Sequence, residues 1–242
     1  MEKIITHENL RRFAYCNDHI VKKPIRGIVV FLNGLNWNQI HNEDFQEGFE
    51  YAENGVLYLV PYQNPWAWMN RQTVDYVDEL IDVLFAAYSL PENTPIVSTG
   101  VSMGGLSSLV YTRYAKRTPV ACLANCPVCD LPFHFTERPD LPRTLYSAFC
   151  TYEGTLDEAL RSASPIHLVP TMPKETKYFI FHCGADMAVN KQKHSDRFVA
   201  EMRKEHNIEY FEIPGRGHCD IGREMGMKHY QCIMDSINSA NK

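Results

Sequence analysis

The sequence predicts an α/β domain built on a mostly parallel sheet with helices on both faces, and three observations predict it. Short, continuous apolar runs recur along the chain. Longer segments whose apolar residues repeat at helical spacing separate them. A glycine-rich turn joins one apolar run directly to one helical segment. Strands buried on both faces read as unbroken apolar runs, and parallel neighbours need connections long enough to hold a helix.

The predicted strands are 27–32, 56–61, 95–99, 120–125, 178–182 and 208–213. Between the second and third, Val74, Val77, Ile81, Leu84 and Tyr88 share one helical face, with Asp75, Asp78, Glu79 and Asp82 on the other. A second helix is predicted over 104–115. A third follows Asn190, an N-cap candidate, through Phe198, Val199 and Met202, and the last carries Met227, Tyr230, Met234 and Ile237. Residues 9–20 predict one or two antiparallel edge strands. The stretch 131–165, rich in Pro, Phe, Tyr, Arg and Glu, breaks the alternation. It predicts a cap insertion over the carboxyl edge of the sheet, where open α/β sheets bind ligands. No repeat or linker interrupts the 242 residues, so one domain, 1–242, is expected.

Composition narrows the function classes. Hydrophobic residues make up 45% and charged ones 22%, as in ordinary globular proteins. A net charge of -5 and no basic run argue against nucleic acid as a partner. No apolar run approaches the roughly 18 residues that span a bilayer, so no membrane partner is expected. The N-terminal segment has no apolar stretch of signal length, which points to the cytoplasm and to eight reduced cysteines.

The most informative segment is 95–105, PIVSTGVSMGG. Gly100-Val101-Ser102-Met103-Gly104 forms a G-x-S-x-G pattern between a predicted strand and a predicted helix. A serine on such a tight turn needs small neighbours, and the helix N-terminus favours negative charge developing beside it. This makes Ser102 the candidate nucleophile. Two later turns each follow a predicted strand: Cys183-Gly184-Ala185-Asp186 and Gly215-Arg216-Gly217-His218.

With these segments the chain resembles the α/β-hydrolase superfamily, particularly its small esterases and prolyl-oligopeptidase-like hydrolases. The resemblance runs from about Gly27 to the final helix and includes Ser164-Pro165. It implies a three-layer fold with a short cap. It also implies a triad of Ser102, Asp186 and His218 in the family's chain order, with Asp130 as the reserve acid. The oxyanion donors would be the backbone N–H groups of Met103 and Leu35, with Asn36 the alternative to Leu35. Relatives often read His-Gly-Gly where this chain has Asn33-Gly34-Leu35, and a backbone donor survives that change. Trp66, Trp68, Phe133 and Phe149 are expected to line the substrate pocket.

The expected activity is hydrolysis of a small-molecule carboxylic ester through an acyl-enzyme, with no cofactor and no metal. A peptidase or aminoacyl hydrolase is the alternative, then a thioesterase; a non-catalytic receptor would commonly lack a triad member. Cys126-Pro127-Val128-Cys129 is a poor redox pair, because a proline and a strand end stand where a helix N-terminus should be. As zinc ligands the two would need partners such as Cys150, Cys183 or His134, which show no ligand spacing. Buried or pocket-lining thiols are expected instead. No phosphate-binding loop is present.

Overall fold

The computed structural model describes residues 4–242. Seven strands form one sheet: β1 (Ala14–Cys16), β2 (Gly27–Leu32), β3 (Val56–Pro61), β4 (Ile96–Val101), β5 (Ala121–Asn125), β6 (Lys177–Cys183) and β7 (Ile208–Ile213), in the order β1-β3-β2-β4-β5-β6-β7. Only β1 runs antiparallel, against β3. The N-terminal edge therefore holds one strand, preceded by a 3-10 helix at His7–Arg12. The central strands are buried along almost their whole length, which is why they read as unbroken apolar runs.

Two helices, α1 (Gln46–Glu53) and α9 (Gly222–Ala240), cover one face through Tyr51, Ile233 and Ile237, which pack on Val29, Tyr58, Val97, Leu123 and Phe181. The other face is covered by α2 (Arg71–Tyr88), α3 (Met103–Tyr114) and α8 (Arg197–Met202). The α2 stripe predicted from the sequence is the buried one, with Val74, Val77, Ile81 and Leu84 in the core. Its N-cap, Asn70, accepts the Thr73 N–H, the arrangement that satisfies an orphan donor of the first turn. Asn190 accepts the Lys193 N–H in the same way, but a π-helical turn at Gln192–Asp196 follows before α8 begins. The sequence carries no helical signal for α1, and Phe45 at its N-cap offers no side-chain bond.

Between β5 and β6 the chain folds into four short helices, α4 (Leu131–Glu137), α5 (Leu141–Phe149), α6 (Leu156–Ser162) and α7 (Pro165–Leu168). Leu131, Leu141, Leu145 and Leu160 are buried in the same cluster as α2 and α3. Ser164 ties the two ends of the segment, its Oγ accepting from the Leu131 N–H and donating to the Cys129 carbonyl. Among the described residues no helix is long and apolar enough to cross a membrane.

Candidate active site

Ser102 follows β4 and caps α3 with φ 58° and ψ −121°, a strained conformation for a residue with a side chain, costing about 1–3 kcal/mol. The neighbouring glycines make the turn possible. A Cβ on Gly104 would lie 1.9 Å from the Leu32 carbonyl oxygen, and one on Gly100 2.3 Å from the Gly104 carbonyl oxygen. No other residue fits either position. The turn is pinned to the next strand by the Ser102 N–H, which donates to the Asn125 carbonyl at 2.9 Å.

The loops after β6 and β7 bring Asp186 and His218 to this turn. The Ser102 hydroxyl lies 2.9 Å from His218 Nε2, and His218 Nδ1 lies 2.6 Å from Asp186 Oδ2. The second carboxylate oxygen of Asp186 accepts the N–H groups of Ala188 and Val189. His182, buried at the end of β6, places Nε2 3.3 Å from Asp186 Oδ2 and is held by Ser195 through Nδ1. Burial alone would raise the Asp186 carboxyl, yet hydrogen bonds from His182, His218 and Val189 hold it well below the usual carboxylate range. Burial likewise lowers the basicity of His218. The bonded, charged Asp186 and the nearby Cys126 outweigh it and raise His218 to about 9. The arrangement can move a proton from Ser102 to an imidazole whose charged form is stabilised from behind.

Met103 opens α3, so its N–H has no intrahelical acceptor. The Asn36 N–H is engaged by the Pro65 carbonyl at 3.1 Å and the Trp37 N–H by Gly34. The Leu35 N–H has no hydrogen-bond acceptor among the described residues, and a Cβ on its neighbour Gly34 would lie 3.8 Å from Ser102 Cβ. Asp130 does not reach the imidazole: it caps α4 through the Phe133 N–H and pairs with Arg197.

The four aromatic residues expected in the pocket separate. Trp68 is 1% exposed and donates its indole N–H to Thr144; its ring belongs to the core, because the turn carrying it folds under α5. Phe149 is also buried and faces a cavity of about 370 Å³ lined by Met69, Tyr114 and Tyr152, without a triad residue. Phe133 is half-buried and packs on His194. Trp66 is half-buried and donates to Asn36 Oδ1 at 2.6 Å, so it braces the Leu35 loop. The cavity that does touch the triad's neighbours, about 660 Å³, is lined by Asn33, Val101 and Cys219 together with Phe31, Trp37 and Tyr58. Aromatic patterning identified apolar surface here but not which side of the backbone would face the serine.

Three residues the sequence did not single out for the triad hold it in place. Asn125 donates to the Cys219 carbonyl, steadying the turn that carries His218. Cys126 Sγ, buried, accepts the N–H groups of both Cys183 and Cys219, each at 3.4 Å, so one sulfur joins the acid and base loops. His182 is the third. Asn125 lies 94 residues from Cys219, and Cys126 lies 57 and 93 residues from Cys183 and Cys219, so of the three only Cys126, noticed for its pairing with Cys129, carried a local hint. A separate cluster, His134, Glu137 and His194, is already saturated. Glu137 Oε2 lies 2.5 Å from His134 and 2.8 Å from His194, whose Nδ1 accepts the Cys129 and Asp130 N–H groups. It works as a strut between α4 and the π-helical turn.

No family model and no curated sequence matches the chain. Solved structures do. The acylaminoacyl peptidase of Pyrococcus horikoshii superposes with a TM-score of 0.68 at 13% identity, over 89% of this chain and 37% of that one. Dipeptidyl peptidase 4 of Porphyromonas gingivalis gives 0.69 at 14%, over 90% and 32%. Esterase B of Lactobacillus rhamnosis gives 0.67 at 8%, over 91% and 78%. This chain thus spans about a third of the length of the two peptidases and most of the esterase. The fold is that of the α/β-hydrolases.

Proposed function

We propose that the chain is a serine hydrolase that cleaves a carboxylic ester of a small molecule through an acyl-enzyme. The observation that carries the reading is the unbroken chain from Ser102 through His218 to Asp186, at 2.9 and 2.6 Å. His218 Nε2 takes the hydroxyl proton as Ser102 attacks the carbonyl carbon. The imidazolium gives that proton to the leaving alcohol, then the neutral ring activates water to release the acid. The N–H groups of Met103 and Leu35 stabilise the oxyanion, and α3 adds its N-terminal dipole. Trp66 acts through the Leu35 loop.

The test is hydrolysis of a p-nitrophenyl ester series, acetate to long acyl chains, by wild type and Ser102→Ala. The expected result is turnover of short esters and a loss of about 10³-fold or more in the variant. Equal rates from both proteins would sink the reading. A second reading, cleavage of an aminoacyl amide, draws on the likeness to two peptidases. Aminoacyl p-nitroanilides cleaved faster than the esters would favour it. A receptor would leave Ser102 unlabelled by a fluorophosphonate.

A further inference from the structure

Behind the imidazole of His218 the fold gathers sulfur. Cys126 leaves β5 in the left-handed region, at φ 46°, and Cys219 follows His218 at φ 63°. Both conformations are unusual for residues with a side chain, and together they turn the two sulfurs toward each other and toward the ring. Cys126 Sγ, Cys219 Sγ and a His218 ring nitrogen all lie within 4.8 Å of one another. Among the described residues no lysine or arginine side chain hydrogen-bonds either sulfur, whose partners are the backbone groups of Cys183, Cys219 and Asn125.

We propose that Cys126, Cys219 and His218 form a binding site for a thiophilic divalent cation, of which Zn²⁺ is the type, with the His218 ring held by the metal instead of by the serine–aspartate chain. Two thiolates and an imidazole are a donor set that zinc prefers, and a tetrahedral ion with metal–sulfur bonds of roughly 2.3 Å and metal–nitrogen bonds of roughly 2.0 Å sets its donors about 3.5 Å apart. The sulfurs and ring must therefore close by on the order of 1 Å. The loop permits it, since Gly215 and Gly217 precede the histidine with open space beside both. Access is provided by Cys219, which is half-buried and lines the 660 Å³ cavity, with Cys126 directly behind. Binding moves no electrons. Each thiol releases its proton to solvent as its sulfur takes the metal, and the His218 ring gives up the extra proton it carries below about pH 9, so that one nitrogen has a free lone pair. Water completes the fourth position.

The consequence for catalysis rests on the hydrolase reading, whereas the site does not. A metal on Nε2 removes the lone pair that receives the Ser102 proton. A metal on Nδ1 displaces Asp186. Either way the base is lost, and a chelator restores it.

The experiment is a Co²⁺ titration of the full chain, reading the thiolate-to-cobalt absorption band, with Zn²⁺ competing it away. Wild type is expected to show the band, and Cys150→Ser, which removes an exposed cysteine outside the site, to keep it. Cys219→Ser, Cys126→Ser and His218→Ala should each weaken Co²⁺ binding by about tenfold or more, and the double serine variant should abolish the band. Should Cys126→Ser fail to fold, Cys219→Ser and His218→Ala decide the matter. A band of unchanged midpoint in those two overturns the proposal. In parallel, Zn²⁺ is added to ester hydrolysis, each variant scored against its own metal-free rate. Inhibition of wild type reversed by chelator, with the half-inhibitory concentration raised by Cys219→Ser as much as the Co²⁺ midpoint is, supports it. Zn²⁺ at concentrations that abolish the cobalt band, yet leave turnover unchanged, overturns the engagement of His218. If no substrate is turned over at all, the cobalt series still decides the site, and the hydrolase reading falls alone.

Discussion

The turn at Ser102 and the four-helix segment between β5 and β6 are held by opposite means. The turn is determined within eleven residues. Two glycines stand where no Cβ fits, a strand stops and a helix starts. The helical segment is determined by partners far away in the chain: Ser164 closing on Leu131, Glu137 bridging to His194, Thr144 taking the Trp68 indole. Local geometry thus builds the turn that carries the candidate nucleophile, and long-range packing builds the helical segment, none of which lines the cavity beside Cys219. The two can be changed separately, and the predictions below use that.

The largest expected effect compares two aspartates. Asp186→Asn leaves an amide against His218, favouring the wrong tautomer, and kcat/KM should fall about 10⁴-fold. Asp130→Asn alters the N-cap of α4 and one ion pair with Arg197. Because asparagine caps as well as aspartate, rate should change only by a small factor and stability by under about 1 kcal/mol. Steady-state kinetics and thermal melts of both variants check this. A large rate loss in Asp130→Asn would show the helical segment to be part of the chemistry.

What could be read from the sequence follows the same division. The parallel strands were legible because burial on both faces leaves one signature, and Ser102 because its neighbours must be glycine. His218 stood out among ten histidines through the glycines before it and its place after β7. Trp68 and Phe149 were misread because an aromatic residue announces burial without announcing against what. The helix α1 was missed because its apolar residues are few and Phe49 among them is exposed. Cys126 was noticed for its spacing to Cys129, three residues on, yet its work is with Cys183 and Cys219. That partnership exists only once β5, β6 and β7 lie side by side.

The next effect is in pH. A protonated His218 cannot take the serine proton, so activity needs the neutral ring. Because the ring is raised to about 9 in the free protein, kcat/KM should climb with pH through neutrality and level off only near that value. At pH 7 roughly one ring in a hundred would be neutral, a range of about 100-fold between pH 7 and the plateau. The same shift works in the opposite sense on stability. A folded-state value above the unfolded one of about 6.5 stabilises the fold below that pH, and the contribution is lost as pH rises through 9. Asp186→Asn removes the main group holding the proton, so the residual activity of that variant should reach its plateau at lower pH. A profile already flat from pH 6 in wild type would show that Asp186 does not hold the proton on the ring.

The smallest effects on rate belong to the two tryptophans, which separate the regions most directly. Trp68→Ala empties a core position and leaves Thr144 without its donor. It should cost about 3–5 kcal/mol of stability while leaving KM of the surviving folded protein nearly unchanged. Trp66→Ala removes a half-buried ring whose one hydrogen bond goes to Asn36, next to the Leu35 donor. Its stability cost should be near 1 kcal/mol, with kcat lowered several-fold because the loop proposed to supply the oxyanion donor loses its brace. Urea denaturation set beside steady-state kinetics gives both numbers for each variant. The reverse pattern, with Trp68→Ala altering KM and Trp66→Ala only stability, would mean that the substrate reaches Ser102 from the side of the four helices. The 660 Å³ cavity beside Cys219 would then play no part in choosing the substrate.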